Sequence, residues 1–468
     1  MSDEPIPKIP LMARPDTPVP FGVRAETGAV RPPFQAPNPA AVALDSKQVQ
    51  ERGAPKKHYG IIPTLDPKKI TDSGWAVLFA CDADPAIKAA LDPLLKLREE
   101  QVANPGYFKI FEGKQGVLPD QTAINWLAGK GVGLATVDPE NGIPYHLLIV
   151  GSPARISFEF QYTLDLQWSV GRLDFDTPAE YAAYAKAVVD YETSAEVRQK
   201  KTAVMWMPAN GDLATNLLCN DVGLPFLQKP VGKKQGFVLT TFLATQATKD
   251  TLRNIFTGTP PALLFTGSHG LEVGPQDPTD QRERQGALVT QEWRPGNPVG
   301  NGACFAAADL PADVDLRGMI HVIFACFGGG CPEADNYPDA GVAAKPLIDH
   351  AIVGRLPQRL LAKGALAVVG HIDRAWSFSF QTGSGLPQNQ LLRSILEGIM
   401  LGFPVGYAMD VENLQWGTYA ALLGIALGPS PVGPAPAALA NLVIARDDAR
   451  NYALFGDPAV RLRVDKMG

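Results

Sequence analysis

Ala262-Leu-Leu-Phe-Thr-Gly-Ser-His-Gly270 and Met319-Ile-His-Val-Ile-Phe-Ala-Cys-Phe-Gly-Gly-Gly-Cys331 are the two stretches on which the reading of this chain turns. Each is a short apolar run, rich in branched or aromatic residues, that stops abruptly at small ones. A strand buried in a parallel sheet reads this way. Each run delivers a reactive side chain where the strand should end: His269 in the first, Cys326 in the second. In open α/β sheets, ligands bind beyond the carboxyl ends of the strands. A histidine and a cysteine on two such ends form a candidate base–nucleophile pair.

A third buried run, Gly364-Ala-Leu-Ala-Val-Val-Gly370, delivers His371-Ile-Asp373-Arg374-Ala-Trp376. Upstream, Trp75 to Cys81 and Tyr145 to Gly151 read as buried strands, and Tyr107 to Phe111 and Ser169 to Leu173 as shorter ones. Thr202 to Met207 and Gln235 to Thr240 open a second set. Helical patterns lie between them. One follows Asp84-Pro85, one carries Ile124, Trp126 and Leu127 behind a cap at Asp120, and one starts at the capping box Thr177-Pro-Ala-Glu180. Further helices are expected over 346–361 and 388–402. Strands alternating with helices indicate an α/β fold of helix-covered, mostly parallel sheets. The divisions expected are an extended arm over 1–70, an α/β subdomain over 71–198 and a second, catalytic one over 199–468, each subdomain with its own sheet.

Prolines crowd the first 60 or so residues, and no helical or alternating pattern survives there. The segment reads as an extended arm that stays mobile or drapes over the body. A linker or tail is the plain reading; an arm that binds a regulatory partner or inhibits is the sharper one. Between the two opening stretches, Glu272 to Asn301 reads as a long polar loop containing Arg282 and Arg284, a candidate self-processing segment.

The 468 residues are 46% hydrophobic and 19% charged, with a net charge of −6, so a sizeable core is expected. No basic run is interleaved with aromatics, which argues against nucleic acid. No apolar run approaches the roughly 18–20 residues that span a bilayer, so no membrane partner is expected. The start, Met1-Ser-Asp-Glu-Pro, lacks the features of a secretory signal, and the expected location is cytoplasmic. Five scattered cysteines argue against a disulfide framework. No Cys/His set has zinc-ligand spacing, and neither a metal nor a cofactor is expected.

A cysteine that ends an apolar strand is most often buried and inert. Cys326 departs from that because Phe327-Gly-Gly-Gly330 follows it, letting backbone N–H groups approach a ligand closely. A carbonyl oxygen becoming an oxyanion needs such donors, and Gly270 supplies one more. His371 is the rival base. Cys331 is the rival nucleophile, set past the glycines and before Pro332.

With His-Gly after one apolar block and Ala-Cys after the next, the chain resembles the caspase-like (clan CD) cysteine peptidases. Leu147-Leu-Ile-Val-Gly-Ser152, Ser169-Val-Gly-Arg-Leu173, the stretch Val368 to Gly383 and the terminal Phe455-Gly-Asp-Pro-Ala-Val-Arg-Leu462 are similar to the gingipain branch. The resemblance covers roughly residues 70 to 468. It implies a caspase-like fold and peptide-bond cleavage, with Cys326 as nucleophile, His269 as proton carrier and the N–H groups of Gly270 and Cys326 as the oxyanion hole. It also implies that Trp376, with Ser377, walls the pocket for the residue before the cut bond (P1). Asp165 matches an acidic residue that reads Arg or Lys there, with Asp373 as runner-up. The sequence departs from the family at Ser152, where an acidic residue is usual, and in lacking a secretory signal. The substrate expected is a protein or peptide. A catalytically silent binding module is the alternative, and a thioesterase or acyltransferase using the same pair a third.

Overall fold

The computed structural model describes residues 18–30, 60–134, 136–338, 343, 345–428 and 436–468. Most of the proline-rich arm and of the small-residue tract between Gly428 and Ala438 lies outside the described residues.

Near the N-terminus the chain forms β1 (Gly22–Arg24), then β2 (Trp75–Phe79), β3 (Phe108–Phe111), β4 (His146–Val150) and β5 (Ser169–Leu173). There follow β6 (Thr202–Met207), β7 (Val238–Leu243), β8 (Leu263–Gly267), β9 (Gly270–Glu272), β10 (Leu288–Val289), β11 (Cys304–Phe305) and β12 (Ile320–Phe324). The series ends with β13 (Gly330–Cys331), β14 (Ile352–Val353), β15 (Ala367–His371) and β16 (Tyr452–Gly456). Ten of these strands make one sheet in the order β3-β2-β4-β5-β16-β15-β12-β8-β6-β7. The two parallel blocks read from the sequence are both there, joined edge to edge. β16 lies parallel to β5 and antiparallel to β15, so the halves run in opposite directions.

Alternation along β2 explains the layering. Trp75, Val77 and Phe79 enter one core with Leu91, Leu94, Tyr181 and Tyr184 of the helices Pro85–Val102 and Pro178–Thr193. Ala76 and Leu78 enter the other face with Trp126 and Phe160. A buried Arg98 ties the first layer to the chain's end through Asp457 at 2.6 Å and Glu192 at 2.6 Å. Among the described residues no helix is long and apolar enough to cross a membrane.

The register places the reactive residues. β8 and β12 are paired in step up to Gly267 opposite Phe324, and His269 and Cys326 each lie two residues past that pair. Both leave the same edge of the sheet, beside the end of β15.

Some expectations give way. Asp120 sits in a turn with φ 55°, and it is Thr122 that caps the helix Ala123–Gly129 by accepting from the Asn125 amide. The stretch over 272–301 is no structureless loop. β9 and β10 belong to a second sheet, β1-β9-β10-β11, with the helix Pro278–Arg284 between them in the chain, and strands this short leave no periodic signal. Its arginines are committed, Arg284 to Asp280 at 2.6 Å and Arg282 to Asp176 at 2.8 Å. The helix expected from Pro346 starts only at Arg355, because Ile352–Val353 is drawn into β14 against β13. A helix of 22 residues, Val405–Ala426, stands where the sequence reading places no element.

Candidate active site

β12 ends and the chain turns sharply: Phe327, directly after Cys326, has φ 59°. A left-handed non-glycine residue costs roughly 1–2 kcal/mol. The turn is held by Phe327 N–H donating to the Asp373 carbonyl at 2.9 Å and Gly329 N–H to the His371 carbonyl at 2.7 Å. Cys326 is thereby left with its thiol facing the segment after β15. Its Sγ accepts from the Ala375 amide at 3.2 Å.

Gly270 lies against this turn so closely that a Cβ there would come within 1.7 Å of the Cys326 carbonyl oxygen. Only glycine fits. The contact brings the Gly270 and Cys326 amides onto one acceptor, the carbonyl oxygen of Phe21, at 2.9 and 3.3 Å. The two N–H groups named from the sequence as an oxyanion hole thus converge on a single oxygen.

His269 is fully buried, its ring edge-on to Trp293 with centroids 5.6 Å apart. Its Nε2 is 3.0 Å from the Asp212 carboxylate, 57 residues earlier in the chain. A carboxylate only accepts, so Nε2 carries the proton and Nδ1 is the free position of the neutral ring. Nδ1 has no hydrogen-bond partner among the described residues. The sequence reading gives Asp212 no role. It also caps the helix Leu213–Leu218, accepting from the Thr215 amide at 3.1 Å and hydroxyl at 2.7 Å. Burial pushes this carboxyl up, but His269 and both Thr215 donors outweigh it and hold it well below the usual range. The available signal was positional: Asp212 follows the end of β6, the neighbour of β8 in the sheet.

Burial pushes the Cys326 thiol up to about 12, against the Ala375 N–H and the Arg374 charge, which favour the thiolate. Cys331 is also buried and raised, with Sγ accepting from Gln285 at 3.4 Å. His371 is held beneath the site, its Nε2 3.2 Å from Asp448.

Trp376 and Ser377 are both brought to the cleft, where Ser377 N–H donates to the Val19 carbonyl at 3.1 Å and Trp376 stacks edge-on to Tyr337. Asp373 is near, but its carboxylate already accepts from Arg374 N–H at 2.7 Å and Asn336 at 2.8 Å. Arg374 is the local hub, lying 2.9 Å from Asp335, 3.4 Å from Asp373 and 3.5 Å from Glu272. Asp165 is not brought to Cys326. It ends the helix Phe158–Asp165, facing Asp410 and Arg172, and burial and Asp410 push its carboxyl well above the ordinary range.

Fold and site define a class: an α/β protein with one ten-stranded, mostly parallel sheet and a cysteine and a histidine at adjacent strand ends. One solved structure supports the fold. The chain is similar to one described as the structure of a protease, at TM-score 0.51 and 13% identity over 83% of this chain and 78% of that one. It is similar to the Arg-specific cysteine proteinase gingipain R at 0.46 and 12%, over 86% and 80%. A Saccharomyces cerevisiae separase–securin complex gives 0.33 and 12%, over 67% of this chain and 15% of that one. At such identities the likeness is one of fold alone. No protein-family model matches the sequence, and no curated protein does.

Proposed function

We propose that this chain is a cysteine endopeptidase. The observation that carries the reading is the meeting of the Gly270 and Cys326 amides on one carbonyl oxygen beside the Cys326 thiol. Donors so placed stabilise the oxyanion of a tetrahedral intermediate, each typically worth about 10²–10³ in rate. In the reaction His269 takes the thiol proton and Sγ attacks the peptide carbonyl. The amine leaves with that proton, and water then hydrolyses the thioester to release the carboxylate and restore the thiol. Asp212 keeps the imidazole in the tautomer and orientation this needs. Trp376 and Ser377 line the path of the peptide. A preference for Arg or Lys at P1 has little support: Asp165 lies elsewhere, and the carboxylates that the Cys326 thiol senses, Glu272 and Asp373, already face Arg374.

The test is covalent labelling of the full-length chain by a peptidyl acyloxymethyl ketone. One adduct is expected, on Cys326 and not on Cys219, Cys304 or Cys331. Cys326→Ala should abolish it together with peptide cleavage, at an unchanged melting temperature. Equal labelling or cleavage by the variant overturns the assignment.

A further inference from the structure

The cleft is filled by the chain itself. Val19 N–H donates to Ser377 Oγ at 3.2 Å, Val19 O accepts from Ser377 N–H at 3.1 Å, and Phe21 N–H donates to the Ala375 carbonyl at 3.0 Å. Pro20 is bridged antiparallel to Trp376, a position that uses its neighbours' carbonyl and amide and needs no N–H of its own. Past Phe21 the segment runs parallel to β9, with Gly22 opposite Gly270. The Phe21 carbonyl lies between the two oxyanion-hole amides. A Cβ on Gly22 would stand 3.2 Å from the Cys326 sulfur. The Phe21–Gly22 peptide bond is therefore the one presented to the thiol.

The Phe21 side chain identifies its pocket. It is fully buried, with ring centroids 4.7 Å from Phe324, 5.6 Å from Phe380 and 6.2 Å from His269. The first two contacts are edge-on, the arrangement aromatic rings prefer. A guanidinium in this place would be desolvated among rings, and such burial is strongly unfavourable without a paired carboxylate. Next to it, a Cβ on residue 22 would press on the sulfur at 3.2 Å, which favours a small residue there.

We infer that the site takes peptides with an aromatic residue before the bond and a small residue such as glycine after it, and that Val19-Pro-Phe-Gly-Val23 is its built-in occupant. Other peptides enter only when that segment leaves. The inference rests on the peptidase reading for the cleavage, but the pocket stands on the contacts alone. The raised thiol is consistent with it, since the segment shuts out the water that would stabilise a thiolate.

Full-length wild type and Phe21→Asp are compared on an internally quenched peptide containing Val-Pro-Phe-Gly-Val and on the same peptide with Arg in place of Phe. The variant, unable to seat a carboxylate among the rings, should cut the Phe peptide at least about 10-fold faster than wild type. It should cut between Phe and Gly, and favour Phe over Arg by about 100-fold. Equal rates for the two chains overturn the built-in occupant, and equal or faster cutting of the Arg peptide overturns the pocket. Phe21→Ala supplies the same comparison if Phe21→Asp does not fold. Fluorescence anisotropy with the labelled peptides on Phe21→Asp/Cys326→Ala separates the two ideas. Selective binding of the Phe peptide, in a protein whose Phe21→Asp parent cuts neither, keeps the pocket and removes the peptidase. Binding of neither removes the pocket.

Discussion

Asp212 serves two structures with one carboxylate, capping a helix and holding His269. The roles can be separated. Asparagine caps helices about as well as aspartate, whereas alanine typically loses about 1 kcal/mol. Asp212→Asn should keep the cap, lose at neutral pH only the stability that the lowered carboxyl contributes, and lower kcat by about 10²-fold, as loss of an oriented proton carrier does. Asp212→Ala should lose the cap as well. The carboxyl is lowered in the folded chain, so the unfolded chain takes up the proton first as pH falls. Its contribution is complete above the ordinary carboxylate value of about 4 and disappears as pH drops through the folded value. Melting curves across that window should show a shallower acid limb in Asp212→Asn. A kcat within a few-fold of wild type would remove Asp212 from the machinery. At this scale Cys326 and His269 stand out as candidates because each ends an apolar run beside glycines. Asp212 does not: it meets His269 only through sheet order, which local sequence does not carry. Asp165 misled because a motif position was transferred without the helix that turns it toward Asp410.

Arg374 shows how elements around the site are fastened. It joins β9 through Glu272, the segment after β13 through Asp335 and the stretch after β15 through Asp373, with Phe327 5.5 Å beneath its guanidinium. Removing one partner of a buried ionic cluster leaves the others uncompensated, typically at a cost of about 3–5 kcal/mol. Arg374→Met should destabilise by that order in denaturant titration. The loss should be larger at pH 8 than at pH 5, because protonation neutralises the stranded carboxyls; a pH-independent loss would contradict the account. The long strands were legible as apolar runs between small residues. The two-residue strands β10, β11, β13 and β14 were not, because their pairing depends on partners distant in sequence. The helix Val405–Ala426 went unread because apolar and small residues occur around most of its circumference, which blurs the helical period.

For the whole molecule, the decisive seam is the one where the two halves of the sheet meet. A Cβ on Gly171 would lie 2.1 Å from the Gly456 carbonyl oxygen, so β5 and β16 touch backbone to backbone. Gly171→Ala should force them apart and cost about 1–3 kcal/mol, the usual range for overpacking. A shift of the denaturation midpoint read by a probe in each half would register it, and an unchanged midpoint would show that the seam is slack. Two parallel sheets were legible from the alternation of strands and helices. Their fusion was not, because it depends on β16 entering from the far end of the chain.

β1 is also a strand of the second sheet, with Val23 in a core beside Leu271 and Val289, so the occupant of the cleft is moored on its carboxyl side. A moored competitor acts at an effective concentration set by its tether, on the order of millimolar for short flexible links. Diluting the protein does not relieve it, whereas saturating peptide outruns it. In wild type this would register as a raised apparent KM with kcat preserved. Whatever loosens the mooring at β9 would then sharpen affinity for peptide without touching the chemistry.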